Sequence, residues 1–420
     1  MKRSSSVILI IPLVLFFYSC KGFLSKSSLV DKNPDSLYFQ DATDTHFPHD
    51  PKAHILNPIL VDIDGDGDLD VIMALEMDAN RLYINDGNGK FTWVKNAFSN
   101  VKHDTEHVRV ADFDNDGKLD VVFVAEDDQT HEFYLGNGDG TFKDVSNRLL
   151  AMSEGNGLEV GDVNGDGLPD IVIGNSGKNG QNFLWLNDKN NPGYFIDATT
   201  THLPQVNDAT QSIALADLDG DGDLDMVVGN EIPPNRLLIN DGNGIYSEKP
   251  QGLELLVPLE TRMVLLFDVD GDNDLDIVFS NLTSNGGDWE KDPQVRILLN
   301  NGNANFKDET ETRMPKNKFS SYASQYIDFD GDGDFDLLIS TIEIPGFNPL
   351  QIRAYENDGK GYFTDITDKA IPNKTVGRGW DIAVGDVNGD GIDDAIIGGW
   401  GTQARLLFGK VKIDDPKRTP

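Results

Sequence analysis

Apolar residues in this chain fall in short runs, and no stretch of useful length carries the 3.6-residue period of an amphipathic helix. Runs such as Val108-Arg-Val110-Ala and Ile213-Ala-Leu215-Ala alternate apolar with other positions, the period of a half-buried strand. Each is followed by an acidic, glycine-containing loop and then by a β-branched run such as Asp225-Met-Val-Val228 or Asp276-Ile-Val-Phe279, which predicts a second strand. A third strand, for example Arg236-Leu-Leu-Ile239, ends in turns such as Asn85-Asp-Gly-Asn-Gly89, Asn240-Asp-Gly-Asn-Gly244 and Asn357-Asp-Gly-Lys-Gly361. Asn and Gly tolerate positive φ, so these turns predict hairpins. A fourth strand then opens on an aromatic residue: Phe142, Phe195, Phe306 or Phe363.

This order repeats along the chain. The pattern Asp-x-Asp/Asn-x-Asp-Gly-x-x-Asp begins at Asp62, Asp112, Asp162, Asp217, Asp268, Asp328 and Asp386, with starts about 50 to 60 residues apart. One four-stranded unit per repeat predicts an all-β, seven-bladed β-propeller of antiparallel blades over residues 37–410. The seventh repeat lacks an aromatic fourth strand, while Tyr38-Phe39-Gln40-Asp41-Ala42-Thr43 ahead of the first repeat matches Phe363-Thr-Asp365-Ile-Thr367. Residues 37–43 are therefore expected as the outermost strand of the last blade, closing the ring and removing an open sheet edge.

Carboxylates at loop positions 1, 3, 5 and 9, wrapped around a glycine at position 6, converge on a point, and the carbonyl of position 7 completes an all-oxygen shell. The expected donors are Asp62, Asp64, Asp66, Asp68 and Asp70 in the first loop, and Asp112, Asp114, Asp116, Lys118 and Asp120 in the second. The third loop offers Asp162, Asn164, Asp166, Leu168 and Asp170, and the fourth Asp217, Asp219, Asp221, Asp223 and Asp225. The remaining three contribute Asp268, Asp270, Asp272, Asp274 and Asp276; Asp328, Asp330, Asp332, Asp334 and Asp336; and Asp386, Asn388, Asp390, Ile392 and Asp394. Oxygen-only donors select Ca²⁺ over zinc or copper, and a flexible seven-coordinate shell selects it over Mg²⁺, so up to seven calcium ions are expected. Asn at position 3 in the third and seventh loops removes a charge and is expected to weaken those sites. Asn273 replaces the position-6 glycine of the fifth loop, and Asn accepts the left-handed conformation at modest cost.

The repeat resembles the FG-GAP and VCBS repeats of integrin-α-like propellers, from Leu37 to about Gly409. The resemblance implies that each acidic loop joins the first two strands of a blade and binds calcium structurally. It implies little about activity, because propellers carry many functions.

The charge balance, 71 Asp plus Glu against 35 Lys plus Arg for a net −36, excludes nucleic acid as a natural partner and suits bound cations. At the N-terminus a basic start, an apolar run from Val7 to Tyr18 and Ser19-Cys20 read as a secretory signal over residues 1–19. Phe17-Tyr18-Ser19-Cys20 resembles a bacterial lipobox, which makes Cys20, the chain's single cysteine, the expected lipidation site, with a polar tether over residues 20–36 and a tail over 411–420. A monomer anchored in the cell envelope follows, facing the periplasm or the outside.

A ligand is expected at the blade ends opposite the acidic loops. Six residues before each loop's first aspartate stand Leu56, Glu106, Asn156, Gln211, Arg262, Tyr322 and Trp380. His107, Arg109, Glu159, Gln325, Arg378 and Asp381 lie close by, and the loop between strands two and three adds Glu76, Glu126, Glu231, Glu343 and Trp400. Aromatic rings beside arginine and carboxamides suit a glycan or a protein surface. No nucleophile elbow, phosphate loop or zinc-protease histidine pair is present in the sequence. The expected function is a non-catalytic binding or adhesion module; a lyase-like enzyme acting on polysaccharide and an accessory subunit of a surface complex stay open as alternatives.

Overall fold

A computed structural model describes residues 36–410, apart from 178–179, 256, 284–293, 318, 345–347, 374 and 376–380. Cys20, Arg378, Trp380 and the 411–420 tail lie outside the described residues.

Each repeat folds as an antiparallel four-stranded unit. In the third repeat Gly155–Gly161, Asp170–Asn175, Phe183–Asn187 and Phe195–Asp197 pair in sequence order, and Thr210–Ala216, Asp225–Asn230, Arg236–Asn240 and Tyr246–Glu248 do the same in the fourth. The first and second repeats join into one eight-stranded sheet because Glu76 and Asp78 of one pair with Asp104 and His103 of the other. The fifth carries an added strand, Leu253–Glu254, parallel to Phe306–Asp308. Second strands such as Asp120–Ala125 are buried at every position, whereas fourth strands such as Phe195–Asp197 bury only their leading aromatic. A strand covered on both faces reads as a continuous apolar run, which is why the second strands lack alternation.

The apolar cores lie between repeats rather than within them. Phe113, Val122, Val124 and Phe133 of the second repeat pack with Leu158, Ile171, Ile173 and Trp185 of the third. The same arrangement joins the seventh repeat to the first: Val387, Ile396 and Leu406 share a cluster with Ile55, Val71, Met73 and Tyr83.

The N-terminal segment completes the sheet of the seventh repeat. Phe39–Asp41 pairs antiparallel with Arg405–Gly409, Phe39 opposite Gly409 and Asp41 opposite Leu407. The strand is shorter than the expected 37–43 because the chain turns into a four-residue helix at Thr43–His46. The same helix follows the fourth strand at Thr199–His202, Thr310–Arg313 and Thr367–Ala370. Its first threonine is buried, and the hydroxyl accepts a hydrogen bond from the third strand: Leu184 N–H to Thr199, Ile297 to Thr310, Ala354 to Thr367 and Leu406 to Thr43. Thr43 thus performs for the seventh repeat, across the length of the chain, what its counterparts perform locally.

The first strands of six repeats are bulged. The pairing with the second strand shifts between Ile55 and Asn57, Thr105 and His107, Gly155 and Gly157, Thr210 and Ser212, Thr261 and Met263, and Ser321 and Ser324. The residues left over are Leu56, Glu106, Asn156, Gln211 and Arg262, with Tyr322 and Ala323 in the sixth repeat. A bulge re-aims a side chain that regular alternation would send elsewhere.

Candidate functional site

The acidic loops close in one way in all seven repeats. Oδ2 of the position-1 aspartate accepts the N–H of position 6, as Asp62 does from Gly67 at 3.1 Å and Asp268 from Asn273 at 2.9 Å. Oδ1 of position 5 accepts the N–H of position 7, from Asp68, Lys118, Leu168, Asp223, Asp274, Asp334 and Ile392 in turn. Position 6 is left-handed throughout, with φ of +96° at Gly67 and +71° at Asn273, so the substitution in the fifth loop is absorbed without a change of course.

The position-9 aspartate is the best-held residue of each loop. Asp70, Asp120, Asp170, Asp225, Asp276, Asp336 and Asp394 are at most 1% exposed. One carboxylate oxygen of each accepts the N–H of loop position 2, for instance Leu218 to Asp225 at 3.1 Å. The other accepts an N–H from the end of the third strand, for instance Asn240 to Asp225 at 2.9 Å. Burial pushes these carboxyls up despite the donors: to about 6 for Asp120 and Asp225, about 7 for Asp70, Asp170, Asp276 and Asp394, and about 9 for Asp336.

Position 3 is the opposite case. Oδ1 of Asp64, Asp114, Asp219 and Asp270 is enclosed and has no hydrogen-bond partner. Carboxylate oxygens of Asp62, Asp64 and Asp66 lie within 4.8 Å of one another, as do those of Asp112, Asp114 and Asp120, of Asp217, Asp219 and Asp225, and of Asp268, Asp270 and Asp276. An orphaned, buried anionic oxygen facing other carboxylates is stable only beside a cation, so this donor set fits a hard, oxygen-seeking divalent ion. Where Asn stands at position 3, its Oδ1 is used instead by a backbone N–H, Asp166 to Asn164 and Asp390 to Asn388. In the second loop Lys118 sets its own ammonium 2.9 Å from Asp116, a competing charge.

An element that sequence reasoning passed over ties the loops together. The asparagine ending the third strand, read above only as part of a turn, donates its amide to the position-2 carbonyl of the preceding repeat's loop. Asn187 reaches Phe113, Asn240 reaches Val163, Asn300 reaches Leu218 and Asn357 reaches Val269, at 2.8–2.9 Å. Asn85 of the first repeat reaches Val387 of the seventh in the same way, at 2.8 Å. Gly136 and Gly409 occupy this place in the other two repeats.

At the opposite strand ends the residues left over by the bulges converge. Leu56, Glu106, Asn156, Gln211, Arg262 and Tyr322 all line one cavity of about 320 Å³. His107, Arg109, Glu159, Gln325 and Asp381 line it too. The described residues expected at the entries of the first strands therefore meet at one cavity, whereas Glu76, Glu126, Glu231, Glu343 and Trp400, expected from the loops between strands two and three, are not part of its lining. Several of the lining residues are already committed to one another. Arg109 donates to Glu159 at 2.5 and 3.1 Å and to Asn57 at 3.1 Å, and Asn57 in turn donates to Asp381, a chain that runs from the second and third repeats through the first to the seventh. Arg262 donates to Gln211 at 2.7 Å and pairs with Glu231 and Glu260. Burial, reinforced by Arg109, lowers His107 to about 3, so its imidazole is neutral. Burial pushes Asp381 to about 6. Of the residues expected from the neighbouring loops, Trp400 stacks on His54 and donates to Glu76, again between the seventh repeat and the first.

The FG-GAP-like repeat family matches this chain at residues 62–123, 122–173, 162–228, 217–279, 268–339 and 341–397, and the chain belongs to that family. It is 30% identical to cartilage acidic protein 1 of Xenopus tropicalis over 204 residues, 46% of this chain and 29% of that protein. It is 22% identical to the T-cell immunomodulatory protein homolog of Plasmodium falciparum (isolate 3D7) over 381 residues, 70% of this chain and 52% of that protein. The chain thus spans 29–32% of the length of the cartilage acidic proteins it matches. Among solved structures, BBS1N, crystallised in complex with ARL6DN, superposes with a TM-score of 0.54 at 12% identity, covering 89% of this chain and 96% of that one. At that identity the likeness is one of fold.

Proposed function

We propose that this protein is a closed, seven-bladed, calcium-stabilised propeller that serves as a binding module, taking a protein or glycan ligand at the central cavity. The observation that carries this reading is the convergence of the bulge residues. Leu56, Glu106, Asn156, Gln211, Arg262 and Tyr322 come from six different repeats, stand at one register and meet at one cavity. The acidic loops stand at the other ends of the same first strands. One end of the fold is uniform and the other varied, as expected when one serves stability and the other recognition.

Closure is supported by the pairing of Phe39–Asp41 with Arg405–Gly409, by the shared core of the seventh and first repeats, and by the Asn85–Val387 bond. Calcium would be held by the carboxylates of loop positions 1, 3, 5 and 9 and would neutralise their mutual repulsion. A protein ligand draws support from BBS1N, a likeness of fold solved with a protein partner. An extracytoplasmic, lipid-anchored location remains the proposal made from Cys20, and replacing Cys20 by Ser is expected to move the protein from membranes to the soluble fraction.

The test is retention of purified protein on glycan and protein arrays. His107→Ala combined with Gln325→Ala is expected to abolish any retention found, while calcium-dependent melting stays as in the parent. Depolymerisation of a polysaccharide by the pure protein, or retention abolished only by changes on the acidic-loop side, would overturn the reading.

A further inference from the structure

Three carboxylates outside the repeat loops come together beside the cavity. Asp104 lies near the start of the second repeat's first strand, Glu106 is its bulge residue, and Glu126 follows the second strand, Asp120–Ala125. One oxygen from each lies within 4.8 Å of the other two. The backbone fixes this meeting, because Glu126 donates its N–H to the Asp104 carbonyl at 3.0 Å and Thr105 pairs with Ala125. None of the three belongs to the nine-residue acidic pattern.

We propose that Asp104, Glu106 and Glu126 hold a divalent cation of their own, a site additional to the seven loops and open to the central cavity. The second observation is Glu106 itself. It is 9% exposed and lines the cavity, yet it makes no hydrogen bond or ion pair among the described residues. Oδ1 of Asp104 is likewise enclosed without a partner, while its Oδ2 accepts only the Asp127 N–H at 3.2 Å. Glu126 accepts the Ser176 hydroxyl at 2.5 Å and a hydrogen bond from the Asn156 side chain.

The neighbouring arginines make their hydrogen bonds elsewhere, though the charge of Arg262 also acts on Glu106. Arg262 is bonded to Gln211, Glu231 and Glu260, and Arg109 to Glu159 and Asn57. Glu76 and Asp127 add further negative charge nearby. Desolvated carboxylates held this close by rigid strands need a positive charge between them, and hard oxygen donors match calcium. Three protein donors leave positions of a six- to eight-oxygen shell unfilled, and those fall to water or to oxygens of whatever enters the cavity. The site stands on these residues alone and holds whether or not the loop sites are filled.

The experiment is equilibrium dialysis of the full, metal-free chain against radioactive calcium up to millimolar concentration, beside manganese-soaked crystals of the same protein. Glu106→Gln with Glu126→Gln is expected to bind one ion fewer than the parent, and the manganese anomalous map to show a peak between the three carboxylates. Asp114→Asn is the independent control for a loop site. If the double variant binds as many ions as the parent and no peak stands at the cluster, the site does not exist. The loop reading is judged separately, by whether Asp114→Asn loses its ion. Should the double variant fail to fold, the anomalous map of the parent decides alone.

Discussion

At the scale of the residue, the position-9 aspartates combine two tasks, and the tasks predict different responses. Replacing Asp225 by Ala strands the buried N–H groups of Leu218 and Asn240, each costing about 1–3 kcal/mol unmade. Asp225→Ala is thus expected to lower stability by roughly 3 kcal/mol, and Asp225→Asn, which keeps one acceptor, by roughly half as much. Equal loss in both variants, read from denaturation midpoints, would show that the lost charge and not the hydrogen bonds matters. The raised carboxyl values also fix the sign of a pH effect. In the metal-free protein Asp70, Asp170, Asp276 and Asp394 bind protons more tightly folded, near 7, than unfolded, near 3.8. Their contribution is therefore complete below the unfolded value and lost as pH rises through about 7. Metal-free protein should melt progressively lower from pH 4 to 7. With saturating calcium the slope should reverse over the same window, because the ion takes only the deprotonated loop. Parallel melting curves with and without calcium would refute the loops as its sites.

At the scale of the element, the most regular features were the most legible. The acidic loops, the alternating first strands and the aromatic opening of the fourth strand can be read from sequence because each depends on residues adjacent in the chain. The asparagine latch was not, since its partner lies in another repeat and its spacing from its own loop varies with the connection between strands two and three. The bulges fall between the two: counting six residues back from each loop found the residues, but only the pairing explains why they share a direction. The latch is a test of how repeats couple. Asn240→Ala removes a buried donor to Val163, a partly buried donor to Leu224 and a buried acceptor for Gly244, and is expected to cost about 2 kcal/mol. Asn88→Ala, in an exposed turn, should stay within about 0.5 kcal/mol. Similar melting of the two variants would mean that neighbouring repeats are held by their apolar cores alone.

At the scale of the whole molecule, stability rests on whether the two ends of the chain meet. A linear array of repeats leaves its terminal faces uncovered, and each interface is then worth only its own burial. Here the seventh and first repeats share a core, a bond from Asn85 to Val387 and the stacking of His54 on Trp400. Phe39–Asp41 covers the Arg405–Gly409 strand and carries Tyr38 and Phe39, 3% and 1% exposed, into the core between the sixth and seventh repeats. Burying two such rings contributes about 3–6 kcal/mol, and the strand adds its ladder. A chain beginning at His49 keeps every strand of the first repeat but uncovers the edge at Leu407 and the core beneath Tyr38. It is expected to melt well below the full chain and, with an exposed edge, to self-associate in light scattering. Adding a synthetic peptide of residues 36–47 should restore both the melting temperature and the monomer, since Thr43 and Phe39 find their partners without a covalent link. A shortened chain that is as stable and as monomeric as the parent would mean that the seventh and first repeats are held by their shared interface and the N-terminal strand only decorates it.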